Sequence, residues 1–268
     1  MYKFFLPTVL LAGLLAFFAA PAQAQPTETG QIVAQRITGS VLLVNLADQS
    51  TVALQNGDAL KQGFAIRTAK NAGVVLIFSN GATINIGADS ELSVDQFLQD
   101  PFSQPVKLSN LKEEPTTSTT KLRLTHGEIT GNVRHLHQDK GSSFEIDTPV
   151  GAAGIRGTTF QITYVPNGNG QAFFSIATAE GTVIFTNTSN QSTPVPGGVQ
   201  ITADVTVDSN GNVQLGNITQ GSLSDADKNA ILQLIEQNED VQINPGNQSG
   251  SPQTLGDLIR TTPGDGTK

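Results

Sequence analysis

Turn chemistry interrupts this chain too often for long helices to form. Asn56-Gly57-Asp58, Gln62-Gly63, Asn80-Gly81, Pro166-Asn167-Gly168-Asn169-Gly170 and Asp208-Ser209-Asn210-Gly211 cut it into short pieces. Counted with the other turn signals along the chain, they recur about every 8–12 residues, as an all-β domain requires. Only 14% of the 268 residues are charged, against roughly 25% in an average domain, so surface helices lack their usual Lys and Glu. Gly, Thr, Ser, Asn and Gln fill the gap, a mixture that suits strands and tight corners. There is no Cys, which excludes disulfide frameworks and thiolate metal sites.

The pieces between the turns read as strands. Val41–Val44 is a continuous apolar run, and Thr51–Leu54 follows it. Val74–Phe78 is apolar at both parities and is therefore expected to be covered on both faces. Ser79-Asn80-Gly81-Ala82 has the composition of a type I′ hairpin turn, and Thr83–Ile86 alternates with period two. Strands are also expected over Leu122–Leu124, Glu128–His137, Ser143–Thr148, Thr158–Tyr164, Phe173–Ala177 and Thr182–Thr186. Between residues 110 and 120 lies an acidic, Thr-rich stretch with Pro115, which reads as a surface loop. A short element, Gly-x-Val or Gly-x-Ile, recurs at Gly39, Gly127, Gly131 and Gly181. Glycine at a strand entry permits a sharp corner, and repeated corners suggest a twisted β-solenoid or β-roll.

Two further segments complete the reading. Ile201, Ala203, Val205 and Val207 alternate with polar residues, Asp208–Gly211 turns the chain, and Val213 and Leu215 return as a hairpin. Ser224 then precedes Asp225 and Asp227, the pattern of an N-cap with acids in the first turn. The apolar stripe Ile231, Leu232, Leu234 and Ile235 makes 224–237 the one expected helix. At the other end, Lys3 and the apolar stretch Phe4–Ala20, followed by Ala22-Gln23-Ala24, have the form of a signal peptide cut after Ala24. The stretch is shorter than the ~20 residues of a membrane span and contains Pro7. The expected organisation is a signal peptide (1–24), a polar leader (25–35), a β domain (36–190), a hairpin-plus-helix extension (191–243) and a flexible tail (244–268).

The centre of the chain resembles the FecR domain of bacterial envelope proteins. The resemblance is carried by Thr148-Pro149-Val150-Gly151 and then Arg156-Gly157-Thr158-Thr159-Phe160. Supporting segments are Ile66-Arg67-Thr68, Phe78–Ala82 with Glu91-Leu92, and Leu124–Ile129. It covers about residues 66–164 and extends towards 36 and 186. In regulators of this family the domain lies in the periplasm of a membrane-spanning anti-sigma protein. There it relays the state of an outer-membrane transporter to a cytoplasmic sigma factor. This sequence departs from that plan: it has neither a cytoplasmic region ahead of its apolar leader nor a second apolar stretch long enough to span a membrane. What the resemblance implies is a periplasmic or secreted interaction module without direct sigma-factor contact.

Candidate chemistry is sparse. Arg156 shares parity with Phe160, Ile162 and Tyr164, so an unbroken strand would aim it into the core, where it would need a carboxylate such as Glu145 or Asp147. A bulge at Gly157 would reverse its direction. Arg156, Thr158 and Thr148 are the candidate binding residues. His126, His135 and His137 are all the histidines present. A His-x-His pair on one strand would share a face and offer two metal ligands, although no established zinc spacing is matched. No nucleophile elbow or phosphate loop occurs, and Asp208–Asn212 places its Gly wrongly for a calcium loop. The net charge of −8, with basic residues scattered singly, argues against nucleic acid.

The sequence therefore reads as a non-enzymatic, cofactor-free module that binds another envelope protein through exposed faces, strand edges or the 110–120 loop, its oligomeric state open. A cell-surface glycan-binding or matrix protein is the alternative, and the absence of Trp weakens it. Stoichiometric metal on the three histidines would instead mark a metal-dependent protein.

Overall fold

The computed structural model describes Pro26 and residues 28–243. The expected signal peptide and tail lie outside the described residues. Sixteen of the strands among the described residues join one sheet with free edges, and two more form a separate ladder. The large sheet folds over on itself into two facing layers because three long strands serve both. These are β10 (Ser118–Val133), β12 (Gly151–Gly168) and β13 (Gln171–Asn187). Residues 118–126 of β10 pair with β8 (Glu91–Gln99), while 129–132 pair with β7 (Thr83–Ile86). In β12, residues 151–154 pair with β11 (Ser143–Thr148) and 158–164 with the second half of β10.

One layer, here the open layer, runs β3 (Thr51–Ala53), β2 (Val41–Asn45), β5 (Phe64–Thr68), β8, β10, β11, β12, β13 and β14 (Ser192–Pro196). The other, the middle layer, runs β4 (Ala59–Leu60), β1 (Ile32–Thr38), β6 (Gly73–Phe78), β7, β10, β12, β13, β15 (Val199–Val207) and β16 (Val213–Leu215). Beside β16, β17 (Thr219–Ser222) also pairs with β15. Strand β1 begins inside the polar leader. One apolar core fills the space between the layers. Phe78 of the middle layer meets Phe97 and Phe144 of the open layer edge to face, at 5.2 and 6.3 Å.

Among the described residues the chain is mostly β, with the expected late hairpin and one α-helix. Parallel stacking, the mark of a solenoid, is confined among the described strands to β10 and β11, where Thr119 lies opposite Ser143. Every other ladder is antiparallel.

The long strands turn from layer to layer at glycines. Gly127, Gly157 and Gly181 have φ of 98°, 59° and 79°, a region that costs other L-residues a steric penalty. At each corner the inward-facing parity changes. In β10 it passes from Leu122 and Leu124 to Ile129 and Val133. In β12 it passes from Ala153 and Ile155 to Phe160 and Ile162, and in β13 from Phe174 and Ile176 to Val183 and Phe185. The residue gained at each bend lets both halves of a strand face the same core.

A third layer covers the middle one. Helix α1 (Asp225–Glu236) starts at Ser224, whose Oγ accepts the Asp227 N–H, matching the expected span. Its Ile231 packs with Leu223 on Ala177 and Ala179. Beyond it, β18 (Gln242–Ile243) pairs with β9 (Val106–Lys107) over Val75 and Ile77. Val74–Phe78 is thus buried on both faces, as its sequence requires. The turn after it differs from the expected form. Gly81 has φ 86° but Asn80 is not left-handed, so this is not a type I′ turn. Asn80 is instead drawn into the core, where its amide donates to Ser118 and Thr120 of β10.

A Cβ on Gly181 would sit 2.3 Å from the Gly157 carbonyl oxygen, whereas one on Gly211, at φ 83°, would meet nothing within 4 Å. Gly211→Ala is expected to cost about 1 kcal/mol, the price of the backbone conformation alone. Gly181→Ala is expected to cost about 3 kcal/mol, since strain adds to it. Urea midpoints of the two variants decide the matter; equal losses would show that the corner has room.

Candidate functional site

The Arg-Gly-Thr segment forms the corner between β12 and β13. Gly157 and Thr158 of β12 oppose the single Gly181 of β13, so the register shifts between Arg156 and Thr159. Thr158 is buried, and its Oγ1 donates to the Thr182 carbonyl while accepting the N–H groups of Arg156 and Thr182. One hydroxyl thereby satisfies the backbone that the bulge leaves unpaired. The bulge also reverses Arg156. Parity aims it at the core, yet it lies exposed on the outer face of the open layer, opposite Thr182. Glu145 and Asp147 do not hold it: both lie 3.2 Å from Lys121 Nζ. Among the described residues, Arg156 forms no ion pair.

The remaining residues of the motif build the scaffold. Thr148 Oγ1 donates to the Gly151 carbonyl at 2.7 Å and accepts the Val150 N–H, closing the turn that Pro149 enters. A Cβ on Gly151 would strike the Thr186 carbonyl. Phe160 is fully buried and lies over Gly131, whose missing side chain makes room for its ring.

Across its outer face the open layer presents charge in register. Arg67 of β5 pairs with Glu91 of β8, Asp95 of β8 with Arg123 of β10, and Lys121 of β10 with Glu145 and Asp147 of β11. Exposed pairs of this kind add little to stability but fix the pattern of a surface. Next to them Ala152 and Gly154 leave β12 nearly smooth before Arg156. The two carboxylates raise the Lys121 pKa above its ordinary 10.5.

The 110–120 stretch is more than a surface loop. Glu114 is buried; its carboxylate accepts from the Ser118 hydroxyl and from the His137 N–H at 2.7 Å. It ties the loop to β10 and to the 3-10 turn at Gln138–Lys140. The local sequence does not mark this carboxylate as buried, because one of the partners that satisfy it, the His137 N–H, comes from beyond the loop.

The histidines are not arranged as a strand pair. Strand β10 ends at Val133, and His137 caps the 3-10 turn with ψ 63°. His135 bridges to Glu113 and stands against Gly157, in a polar groove of about 290 Å³ shared with Arg134, Thr159 and Glu180. His126 sits at the other corner of the layer, beside Gly127 and opposite Glu91. Among the described residues, no group of three His, Cys, Asp or Glu side chains is placed to hold a metal ion. No helix among them is long and apolar enough to cross a membrane.

Residues 64–184 match the family described as FecR protein. The chain carries a FecR domain. The matched residues run from the start of β5 into the second half of β13. The FecR domain thus supplies the centre of both layers, and β1 and β2 before it, with β14 and β15 after it, extend them. Among solved structures, a candidate anti-sigma factor from Parabacteroides distasonis is similar in two crystal structures, at 1.65 and 2.50 Å resolution. Each aligns at 14% identity with a TM-score of 0.43 over 63% of this chain, which spans 64% of the length of that protein. No curated protein matches the chain.

Glu114→Ala is expected to cost about 2–3 kcal/mol, because a buried donor is stranded when its acceptor is lost; Glu114→Gln is expected to recover part of it. Denaturant titration measures both. A second expectation concerns alkaline pH. Burial raises the Tyr164 pKa above 10.0, and the carboxylates raise that of Lys121. Both groups hold their protons longer in the folded state. Their stabilisation is therefore complete below pH 10 and is lost as pH rises through the folded values. Tyr164→Phe is expected to flatten the fall of melting temperature above pH 10, and an unchanged slope would exclude Tyr164 as its source.

Proposed function

We propose that this chain is a non-enzymatic sensing or signalling module, periplasmic or secreted, whose FecR domain binds another protein of the cell envelope. The observation that carries this reading is Arg156. It stands exposed on the outer face of the open layer, with no carboxylate partner among the described residues, on the same face as a row of paired charges. Among the described residues no further strand or helix packs over that face, whereas the middle layer is closed by α1 and by the β9–β18 ladder. A fixed pattern of charges gives specificity and orientation to an encounter more than it gives raw affinity, which suits a relay.

Recognition through the face is favoured over addition of a strand at an edge. Strand β14 carries Pro194 and Pro196, which have no N–H to donate. Strands β3 and β4, at the opposite edges, are three and two residues long. Thr148 and Thr158 support the surface from within, since their hydroxyls are engaged by the backbone.

The test uses residues 25–268 as affinity bait against solubilised envelope from the source organism, with Arg156→Ala in parallel. Capture of one discrete protein, weakened about tenfold or more by the variant at unchanged melting temperature, is the expected result. Equal capture by both would return Arg156 to a passive role. Capture of no protein would overturn the reading.

A further inference from the structure

The segment after α1 lies on the middle layer as a bound peptide would. Glu239, Val241 and Ile243 face the protein, while Asp240 and Gln242 face solvent. Gln242 and Ile243 pair antiparallel with Lys107 and Val106. The N–H groups of Leu108 and Ser109 donate to the carbonyls of Val241 and Glu239 at 2.9 and 3.0 Å. Ile243 and Val241 rest on Val75, Ile77 and Leu108. At the other end, Arg134 Nη2 reaches both carboxylate oxygens of Glu239, at 2.8 and 2.9 Å. Arg36 donates to the Gln237 carbonyl at the C-terminus of α1. Main-chain pairing along an edge, with pockets for alternate side chains, is how strand-adding peptides are recognised.

The hold on this segment is slight. Its ladder is two residues long. Arg134 Nε and Asn238 Oδ1 are buried beneath it without hydrogen-bond partners. Arg36, which makes the contact to Gln237, sits at φ 52° in the irregularity of β1 between Gln35 and Thr38, a conformation that stores strain. Yet departure of the segment would expose Val75 and Ile77 and leave the β9 edge unpaired, so the slot needs an occupant.

We propose that this slot is a peptide-binding site, filled here in cis by Gln237–Ile243. In trans it takes an extended segment of another protein with a carboxylate two residues before an apolar-x-apolar pair. Arg134 selects the acidic residue, Arg36 holds the main chain before it, and the Val75–Ile77 floor selects the apolar end. The site lies on the layer opposite Arg156, so the proposal stands apart from the reading of the open face.

The probe is a labelled synthetic peptide of residues 237–243, offered to the full chain carrying V241D and I243D, which eject the covering segment. The peptide is expected to bind this variant one to one and about tenfold or more tighter than wild type. Adding Arg134→Ala, or changing the peptide's own Val and Ile to Ser, is expected to abolish the gain. Equal, absent or Ser-tolerant binding would overturn the proposal, as would self-association of the variant that excludes the peptide. Should the variant fail to fold, hydrogen exchange of the wild type gives the answer. The Leu108 and Ser109 amides must open well before that of Ile84; exchange as slow as the core would overturn it.

Discussion

The fold depends on three backbone corners. β10, β12 and β13 can each contribute to two facing layers only if the chain turns through nearly a corner without ending its hydrogen bonding. Gly127, Gly157 and Gly181 make this possible through positive φ and the absence of a Cβ. At Gly181 the second reason outweighs the first, because the Gly157 carbonyl occupies the place of a side chain. The bulge that comes with the corner between β12 and β13 leaves donors and acceptors unpaired, and Thr158 satisfies them. The Arg-Gly-Thr segment is therefore first a solution to a geometric problem. Arg156 is the exception within it, placed by the corner but not used to build it.

The layers above and below differ in how they are covered, and this difference orders the surface. The middle layer is apolar on both sides at Val74–Phe78 and needs α1 and the β9–β18 ladder to keep it from water. The open layer also buries Val44 and Ala65 beside the inward Leu43 and Ile66, but elsewhere its outer face meets solvent with paired charges. Elements outside the family match are not accessory to this plan: β1 lies beside β6, β2 beside β5, and the helix closes the remaining face.

Much of the fold was legible because period and turn chemistry are local. The late hairpin, the Ser224-capped helix and the two-sided burial of Val74–Phe78 all follow from residues within each segment. The errors share one cause. Parity alone aims Arg156 inward, and parity holds only while the register is unbroken; the bulge at Gly157, which the sequence left open as the alternative, resets it. His135 and His137 fail as a pair for a related reason, since the strand that would align them ends at Val133. Asn80 leaves the expected turn conformation because Ser118 and Thr120, about forty residues away, offer its side chain buried partners. Glu114 is not legible as a buried carboxylate for a similar reason: beside the nearby Ser118, it is the N–H of His137, 23 residues on, that satisfies it.

Strands shared between layers also decide how this protein can move. In an ordinary sandwich the two sheets are joined by loops and can slide by small repacking of side chains. Here three covalent backbones pass directly from one sheet into the other, each fixed by hydrogen bonds on both sides of its bend. Shear of the open layer would have to drag the middle layer with it. A load applied to the outer face is then carried through the chain itself, and the body responds by turning as a whole rather than by internal slip.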